Sequence, residues 1–259
     1  MPTLLYPSPV FGPVRSRRLG ISLGINLMPA DGKLCSFDCI YCECGLNGQR
    51  RTTTARPTRE EVREALEQKL QQMAAQGENA DVLTFAGNGE PTAHPEFPEI
   101  IHDTLTLRAR YCPDARVSVL SNATFAHRPA VRDALLLVDN NIQKLDTVSE
   151  DYIRRVDRPQ GHYDVGRVVE ALRAFNGHVI VQTLFMTGVD DEGHSVDNTG
   201  EEYVRPWLEA VLSIRPERVM VYTVDRETPM RGLRKAAPEV LDGIAERLRA
   251  EGLEVEVAY

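Results

Sequence analysis

Six short apolar segments alternate along the chain with segments of helical periodicity. This alternation is typical of βα units, whose strands lie parallel in one sheet. The predicted strands are Leu19–Leu27, Asp81–Phe85, Arg116–Leu120, Ile142–Asp146, His178–Leu184 and Arg218–Tyr222. Six units suit an open barrel better than a closed eight-stranded one. We therefore predict an α/β fold with parallel strands, arranged as a partial (β/α)6 TIM-like barrel.

The segments between these strands carry the helical pattern. The first helix is predicted to begin at a capping box, Thr58-Arg59-Glu60-Glu61. Apolar residues then recur on one face at Val62, Leu66, Leu70 and Met73. The other predicted helices are Glu96–Leu107, Ala130–Leu137, Val165–Phe175, Glu202–Ser213 and Pro238–Glu251. Apolar and acidic residues alternate over Leu253–Ala258, which predicts a last strand at a sheet edge.

The length of 259 residues suits one large α/β domain. No internal repeat, low-complexity tract or linker-like stretch divides the sequence. We therefore predict a single domain over residues 1–259, with a short N-terminal extension over about residues 1–18. The sequence has no apolar run of about 18 residues and no basic start followed by an apolar run, which predicts neither a membrane span nor a signal peptide.

Charge and cysteine content bear on the compartment and the partners. The five cysteines are odd in number and three are clustered, which favours a reducing cytoplasm over a disulfide framework. The formal net charge is −8, whereas a nucleic-acid-binding domain usually has a basic face. Local basic groups do occur at Arg15, Arg17, Arg18, Arg50, Arg51, Arg56, Arg154, Arg155 and Arg158. These arginines are either solvated or paired charges, or one of the groups binds an anion. The net negative charge of the whole sequence disfavours a large RNA substrate.

Three cysteines, Cys35, Cys39 and Cys42, lie in one run of eight residues after the first predicted strand. An iron–sulfur cube normally takes four thiolates. Three thiolates would leave one iron free to bind a small molecule and pass it an electron. The alternative is a structural zinc site with Cys44 as the fourth ligand. Zinc sites usually pair two knuckles, and Cys42-Glu43-Cys44 is too tight for one, so the spacing favours a cluster.

A second motif, Gly87-Asn88-Gly89-Glu90-Pro91, follows the second predicted strand. Together with Cys-x3-Cys-x2-Cys and an aromatic residue, Tyr41, before the last cysteine, it resembles the radical S-adenosylmethionine (SAM) superfamily. The flanking residues 12–20 and 84–92 narrow the resemblance. They are similar to small single-domain bacterial and archaeal proteins grouped with the wybutosine-synthesis-related iron–sulfur oxidoreductases.

This resemblance implies a chemistry and its cofactors. A [4Fe–4S] cluster on Cys35, Cys39 and Cys42 would chelate SAM through the open iron. Reductive cleavage of SAM would give methionine and a 5′-deoxyadenosyl radical, which abstracts hydrogen from a small molecule, a peptide or an RNA base. A reductant such as flavodoxin or ferredoxin is implied as a partner. The tRNA-modifying relatives carry further cysteines upstream, whereas this sequence has none before Cys35 and no appended flavodoxin domain. That difference counts against wybutosine-type tricycle formation.

Polar groups at strand ends are the candidate SAM contacts, because loops at these ends build the active sites of such barrels. The resemblance places Tyr41 near the adenine. The amine of SAM is expected at Gly87, Asn88, Gly89 and Glu90, since glycines allow a backbone to approach a ligand closely. The candidates at the next three strand ends are Ser121, Asn122, Asp146 and Gln182. The glycines also suit an ordinary βα turn, and the other residues could be satisfied polar groups at the rim.

Several residues have no assigned part in this scheme. Lys144 is predicted to be a rim or structural charge rather than a catalytic amine, and Cys44 and Cys112 to be bystanders. A polar loop over residues 190–198 either caps the substrate cavity or is a solvated surface loop. Two other functions stay open: an activase that installs a radical on a partner protein, and a non-catalytic iron–sulfur or zinc-binding protein.

Overall fold

An eight-stranded sheet dominates the computed structural model, which describes residues 4–16 and 20–259. The strands of the described residues are β1 (Val10–Ser16), β2 (Gly20–Ile25), β3 (Val82–Phe85), β4 (Arg116–Ser121), β5 (Asn140–Lys144), β6 (Ile180–Leu184), β7 (Met186–Gly188), β8 (Arg218–Tyr222), β9 (Leu233–Lys235) and β10 (Val255–Ala258). The sheet order is β1-β2-β3-β4-β5-β6-β8-β10, and every neighbouring pair except β1 and β2 is parallel. Within the described part of the chain, β1 and β10 are edges, so the sheet is open.

The helices lie between these strands, as predicted. They are α1 (Arg59–Ala75), α2 (Phe97–Tyr111), α3 (Pro129–Leu135), α4 (Glu150–Tyr152), α5 (Val165–Arg173), α6 (Glu201–Ile214) and α7 (Pro238–Ala250). A 3-10 helix covers Pro91–Ala93, and a π-helical segment, Ile153–Asp157, continues from α4. The sequence pattern did not predict α4, the π-helical segment or the antiparallel pair of β7 and β9. These elements are too short to show a periodicity.

The six predicted strands are confirmed as β2, β3, β4, β5, β6 and β8, with ends that differ from the prediction by up to two residues. β5 begins at Asn140, two residues before the predicted start, because Asn140 pairs with Ser118 of β4 and donates a hydrogen bond to its hydroxyl at 2.8 Å. Asparagine is depleted in strands, so the pattern placed the start at the first apolar residue. Leu19, the first residue of the strand predicted at the position of β2, lies outside the described residues. β10 is an edge strand, as predicted.

The predicted N-terminal extension contributes to the sheet. Val10 pairs with Ile25, so β1 runs antiparallel along the edge of β2. Residues 1–3 and 17–19 of the predicted extension, including Arg17 and Arg18 of the first basic group, lie outside the described residues. The single domain over residues 1–259 stays a prediction. No helix among the described residues is both long and apolar enough to cross a membrane.

Buried side chains pack on both faces of the sheet near the carboxyl ends of β5 and β6. On the helical side, the buried Trp207 of α6 packs edge-on against Phe185 and donates its indole N–H to the carbonyl of Leu145 at 2.9 Å. On the opposite face, Ile142, Ile180 and Met220 form a small apolar cluster. Alternate residues of a strand face the same side, so Lys144 and Gln182, two residues further along β5 and β6, lie above this cluster.

We predict that Thr58→Ala destabilises the protein by about 1 kcal/mol. The capping box is present: the Thr58 side chain accepts the Glu61 N–H, and the Glu61 carboxylate accepts the Thr58 N–H at 2.7 Å. Losing it leaves amides of the first turn without a partner. Urea unfolding followed by circular dichroism measures the change, with the exposed Gln68→Ala in the same helix as a control. Equal stability of T58A and wild type would contradict the assigned cap.

Candidate functional site

The three cysteines lie in a loop after β2, residues 33–47, which we call the cysteine loop. Cys35 and Cys42 are half-buried, Cys39 is buried, and all three thiols are free. The Cys35 sulfur accepts the Phe37 N–H at 3.5 Å and lies 3.7 Å from the side-chain nitrogen of Asn122. Since Asn122 directly follows β4, the first thiol already touches the rim of the sheet.

The side chain of Asn47 closes the cysteine loop. Its amide donates to the carbonyls of Cys35 at 3.1 Å and Phe37 at 3.0 Å, and its oxygen accepts the Cys35 N–H at 3.0 Å. The Asp38 carboxylate accepts the backbone N–H of Asn47 at 2.6 Å. These bonds shape the turn around the cysteines by protein contacts alone. Sequence reasoning missed Asn47, because nothing in the cysteine spacing indicates which later residue closes the turn.

The glycine turn, Gly87–Glu90, holds the start of the cysteine loop. Leu34 donates its N–H to the carbonyl of Asn88 at 2.8 Å and forms a parallel bridge with Gly89. Gly89 has φ +155°, and a Cβ there would lie 1.9 Å from the Leu34 carbonyl oxygen. The close approach that requires glycine is therefore made to the residue before Cys35. The glycines were predicted for contact with a ligand; here they dock the cysteine loop onto β3.

Asn88 and Glu90 of this turn are occupied by protein contacts. Asn88 is fully buried, and its side-chain amide donates to the carbonyls of Tyr6 at 2.9 Å and Pro29 at 2.8 Å. The buried Glu90 carboxylate accepts the N–H of Asn122 at 2.7 Å, and burial raises the pKa of Glu90. Both amide hydrogens of Asn88 thus serve the fold, and its contact with SAM stays a prediction.

A buried charge network lies beside the aromatic residue of the motif. The Tyr41 hydroxyl donates to the Asp146 carboxylate and lies 3.2 Å from Asp157. The Lys144 ammonium is 2.6 Å from Asp157 and 3.1 Å from Asp146. Burial alone would lower the pKa of Lys144, but the two carboxylates outweigh it and raise that pKa, whereas burial raises the pKa of Asp157 to about 6. Lys144 is thus a structural charge at the rim.

The predicted position of Asp146 needs a correction. It lies two residues beyond β5 rather than at the strand end. Its other oxygen accepts the Leu184 N–H at 2.9 Å, so the carboxylate is shared between Tyr41, Lys144 and the backbone of β6. The protein contacts around Asp146 join the cysteine loop to the sheet.

The π-helical segment forms the second flank of the cysteine loop. The Asp38 N–H donates to the carbonyls of Asp157 and Arg158, each at 3.0 Å, and the Ile40 N–H donates to Val156 at 3.0 Å. Single π-helical turns are frequent at functional sites. This segment brings Asp157 into contact with Lys144 and Tyr41. Sequence reasoning missed the contact with Tyr41, because Asp157 lies more than a hundred residues further along the chain.

Three further rim residues are candidate ligand contacts. The Ser121 hydroxyl accepts the Ala123 N–H at 3.0 Å, and the Asn122 amide donates to Ser36 at 2.9 Å. Gln182 differs, since its buried Oε1 has no hydrogen-bond partner among the described residues. Buried polar atoms nearly always have a partner, so Gln182 is the rim position whose geometry most favours a bound ligand.

The other two cysteines differ in position. Cys112 caps the end of α2, away from the cysteine loop. Cys44 was predicted to be a bystander, but its thiol donates a hydrogen bond to the Gly87 carbonyl at 3.3 Å. The neighbouring Cys44 thiol and the Lys33 ammonium together outweigh burial and lower the pKa of Cys42 to about 6, whereas burial raises the pKa of Cys35 to about 12.

The loop over residues 190–198 is tied to its surroundings. The Asp190 carboxylate accepts the N–H groups of Glu192 at 3.0 Å and His194 at 2.9 Å. The carbonyl of Val196 accepts the hydroxyl of Tyr152 from α4 at 2.8 Å. This loop is built on its own hydrogen bonds, and a capping function for it stays a prediction.

The donor set fits an iron–sulfur cube with three protein ligands. Three free thiols lie on one loop, next to a buried ammonium (Lys33) and the side-chain amide of Asn122. In residues 4–16 and 20–259, no three His, Cys, Asp or Glu side chains are arranged to hold a single metal ion. A cube distributes its three thiolates over three irons, so it needs a wider spacing than one ion does.

Comparison with known proteins identifies the family. The model of the Radical SAM superfamily matches residues 31–197, which include the cysteine loop, the glycine turn and the rim residues described above. The chain belongs to the radical SAM superfamily. This superfamily uses a [4Fe–4S] cluster and SAM, so the predicted cofactors are confirmed. Proteins of this superfamily are enzymes that need a reductant.

Two curated relatives match over most of this chain. A protein of Brachyspira hyodysenteriae named GTPase Obg is 30% identical over 223 residues, which are 85% of this chain but only 30% of that protein. A UPF0026 protein of Helicobacter pylori strain J99 is 30% identical over 244 residues, 90% of this chain and 71% of that protein. The chain thus spans less than a third of the first relative's length and most of the second's.

Among solved structures, Streptococcus suis SuiB bound to S-adenosylmethionine has a TM-score of 0.63 at 12% identity. The likeness covers 90% of this chain and 50% of that chain. At this identity it concerns the fold alone, and it confirms the predicted α/β fold with a partial, TIM-like barrel.

We predict that Gly89→Ala removes most of the iron that the protein binds after anaerobic reconstitution. The new Cβ collides with the Leu34 carbonyl, and the backbone must move next to Cys35. Iron and sulfide analysis per chain measures the loss. Gly243→Ala is the matched control, because nothing lies within 4 Å of its new Cβ. Full cluster content in G89A would show that the cysteine loop does not depend on this contact.

We predict that Lys144→Met destabilises the protein by about 3–5 kcal/mol, because it leaves Asp146 and Asp157 buried without their cation. Lys69→Met is the control, since the Lys69 ammonium lies near the amide of Gln72 in an exposed setting. Urea unfolding of the two variants gives the difference. A K144M variant as stable as K69M would mean that the two carboxylates are protonated or hydrated in the native protein.

Proposed function

We propose that this protein is a radical SAM enzyme in which Cys35, Cys39 and Cys42 hold the [4Fe–4S] cluster. The observation that carries the proposal is the placement of three free thiols on one loop, against the glycine turn and the rim of a parallel sheet. When bound, the cluster supplies the electron that cleaves SAM to methionine and a 5′-deoxyadenosyl radical. This chain provides the binding site, the orientation of SAM and the exclusion of water.

We place SAM across the carboxyl ends of the strands. In this proposal the amine lies near the backbone of Gly87, Asn88, Gly89 and Glu90, and the ribose or carboxylate near Ser121 and Asn122. These groups are neighbours, since Glu90 accepts the Asn122 N–H at 2.7 Å. This hydrogen bond from the Asn122 N–H to the Glu90 carboxylate links the segments that follow β3 and β4.

Two further rim residues would orient the rest of SAM. The unpartnered Oε1 of Gln182 is available to accept a hydrogen bond from a ligand. The Tyr41 hydroxyl is tied to Asp146, which fixes the position of its ring beside Cys42. In this arrangement Tyr41 contributes a fixed aromatic surface near the adenine, and Asp146 acts through Tyr41.

The substrate is proposed to be a small molecule, a peptide or an RNA base that is a hydrogen donor. We also propose flavodoxin or ferredoxin as the reductant, and the cytoplasm as the compartment. The grouping with wybutosine-synthesis-related oxidoreductases rests on residues 12–20 and 84–92. Its second cluster has no counterpart here, because Cys44 lies inside the cysteine loop and Cys112 at the end of α2.

We predict that the reconstituted, reduced protein converts SAM to 5′-deoxyadenosine and methionine, slowly without substrate. A triple alanine variant at Cys35, Cys39 and Cys42 should lose both the cluster absorbance and this activity. Cys112→Ala is the control and should keep both, since Cys112 lies away from the site. Chromatography of the products measures cleavage. A triple variant that keeps the cluster would refute the ligand assignment, and a loaded wild type that forms no 5′-deoxyadenosine with RNA, peptide and metabolite substrates would refute the activity.

A further inference from the structure

Lys33 is a buried lysine inside the cysteine loop. Only 6% of its surface is exposed, and lysine is almost never fully buried unless it is paired. Its ammonium donates to the carbonyl of Gly45 at 2.9 Å, and the nearest carboxylate oxygen, on Asp38, lies 3.5 Å away. The pairing within the protein is thus a main-chain carbonyl and one longer ionic contact.

The three cysteine thiols are the other groups around this ammonium. Lys33 lies two residues before Cys35 in the sequence. Gly45, whose carbonyl accepts its ammonium, follows Cys42 by three residues and donates its N–H to the Cys42 carbonyl at 2.9 Å. Cys42, Cys39 and Cys35 all interact electrostatically with the Lys33 ammonium, so its charge is close to the three sulfurs. The ammonium is therefore positioned to act on all three ligands at once.

The other buried ammonium in the site is compensated more closely. Lys144 has two carboxylates, those of Asp157 and Asp146, at 2.6 and 3.1 Å. Lys33 has one at 3.5 Å, and the same Asp38 oxygen also accepts the N–H of Asn47. The charge of Lys33 is thus offset less within the protein than that of Lys144. Lys33 is the main cation near Cys35 and Cys42, whereas Lys144 acts more strongly on Cys39.

We propose that Lys33 raises the reduction potential of the cluster and so eases the electron transfer that starts catalysis. A [4Fe–4S]²⁺ cube with three thiolates has one net negative charge, and a single electron from a low-potential reductant such as flavodoxin or ferredoxin adds a second. A fixed buried cation stabilises the more negative state, because Coulomb interactions are strong where water is excluded. Net charge and hydrogen bonds to the sulfurs are among the factors that set such potentials. The proposal rests on the cluster assignment of the proposed function.

The experiment is a redox titration of the reconstituted protein, followed by electron paramagnetic resonance of the reduced cluster. Lys33→Met removes the charge, Lys33→Arg keeps it, and Asp38→Asn removes the opposing charge; Lys69→Met is the remote control. We expect the ratio of reduced to oxidised cluster at a fixed potential to fall about tenfold in K33M, equivalent to about 59 mV for one electron. K33R and K69M should match wild type, and D38N should shift the ratio upward.

Iron and sulfide content is measured first, so that the potential refers to loaded protein. A loaded K33M with the wild-type potential would overturn the proposal. If K33M fails to load, D38N decides: a potential that is unchanged or lowered would also overturn it. The readout separates this inference from the proposed activity, because a cluster that shifts as expected but does not cleave SAM refutes the activity and leaves the role of Lys33 intact.

Discussion

The contact between Gly89 and the Leu34 carbonyl is the constraint on which the site depends. A side chain at position 89 would collide with the backbone next to Cys35, so only glycine lets the cysteine loop lie against the end of β3. On the other flank, the N–H groups of Asp38 and Ile40 bond to the backbone of residues 156–158. Main-chain contacts with the sheet and the π-helical segment therefore position the thiols.

The sequence predicted the fold well where periodicity is strong. A buried parallel strand flanked by amphipathic helices leaves a pattern that needs no tertiary information, and β3, β4, β6 and β8 follow it. The prediction failed where the pairing partner decides the structure. Asn140 joins β5 because Ser118 accepts its side chain, and β1 exists because β2 offers an unpaired edge. Neither partner can be read from local residue types.

The candidate site shows the same division. Spacing alone identified the three cysteines, and the end of each strand identified the rim. The sequence did not indicate which groups each rim residue contacts. The Asn88 amide donates to the carbonyls of Tyr6 and Pro29, and the Glu90 carboxylate accepts the Asn122 N–H; both residues were predicted to contact SAM. The residues that shape the loop, Asn47 and Lys33, carry no spacing signal. Their partners lie within the same loop, at most 12 residues away in sequence, but the contacts depend on how that irregular loop folds, which residue types alone do not indicate.

The two buried ammonium groups show how folding and cluster binding depend on one another. Lys144 has its anions within the protein, so its network is complete in the folded chain. Lys33 has one carboxylate at 3.5 Å, and a buried charge is costly unless it is paired. The thiols beside it can supply the missing anions only as thiolates, yet burial favours the neutral form of Cys35 and Cys39. Cluster binding requires the thiolate form of the cysteines. The bound cluster and its thiolates would therefore supply the negative charge that pairs with the buried Lys33 ammonium.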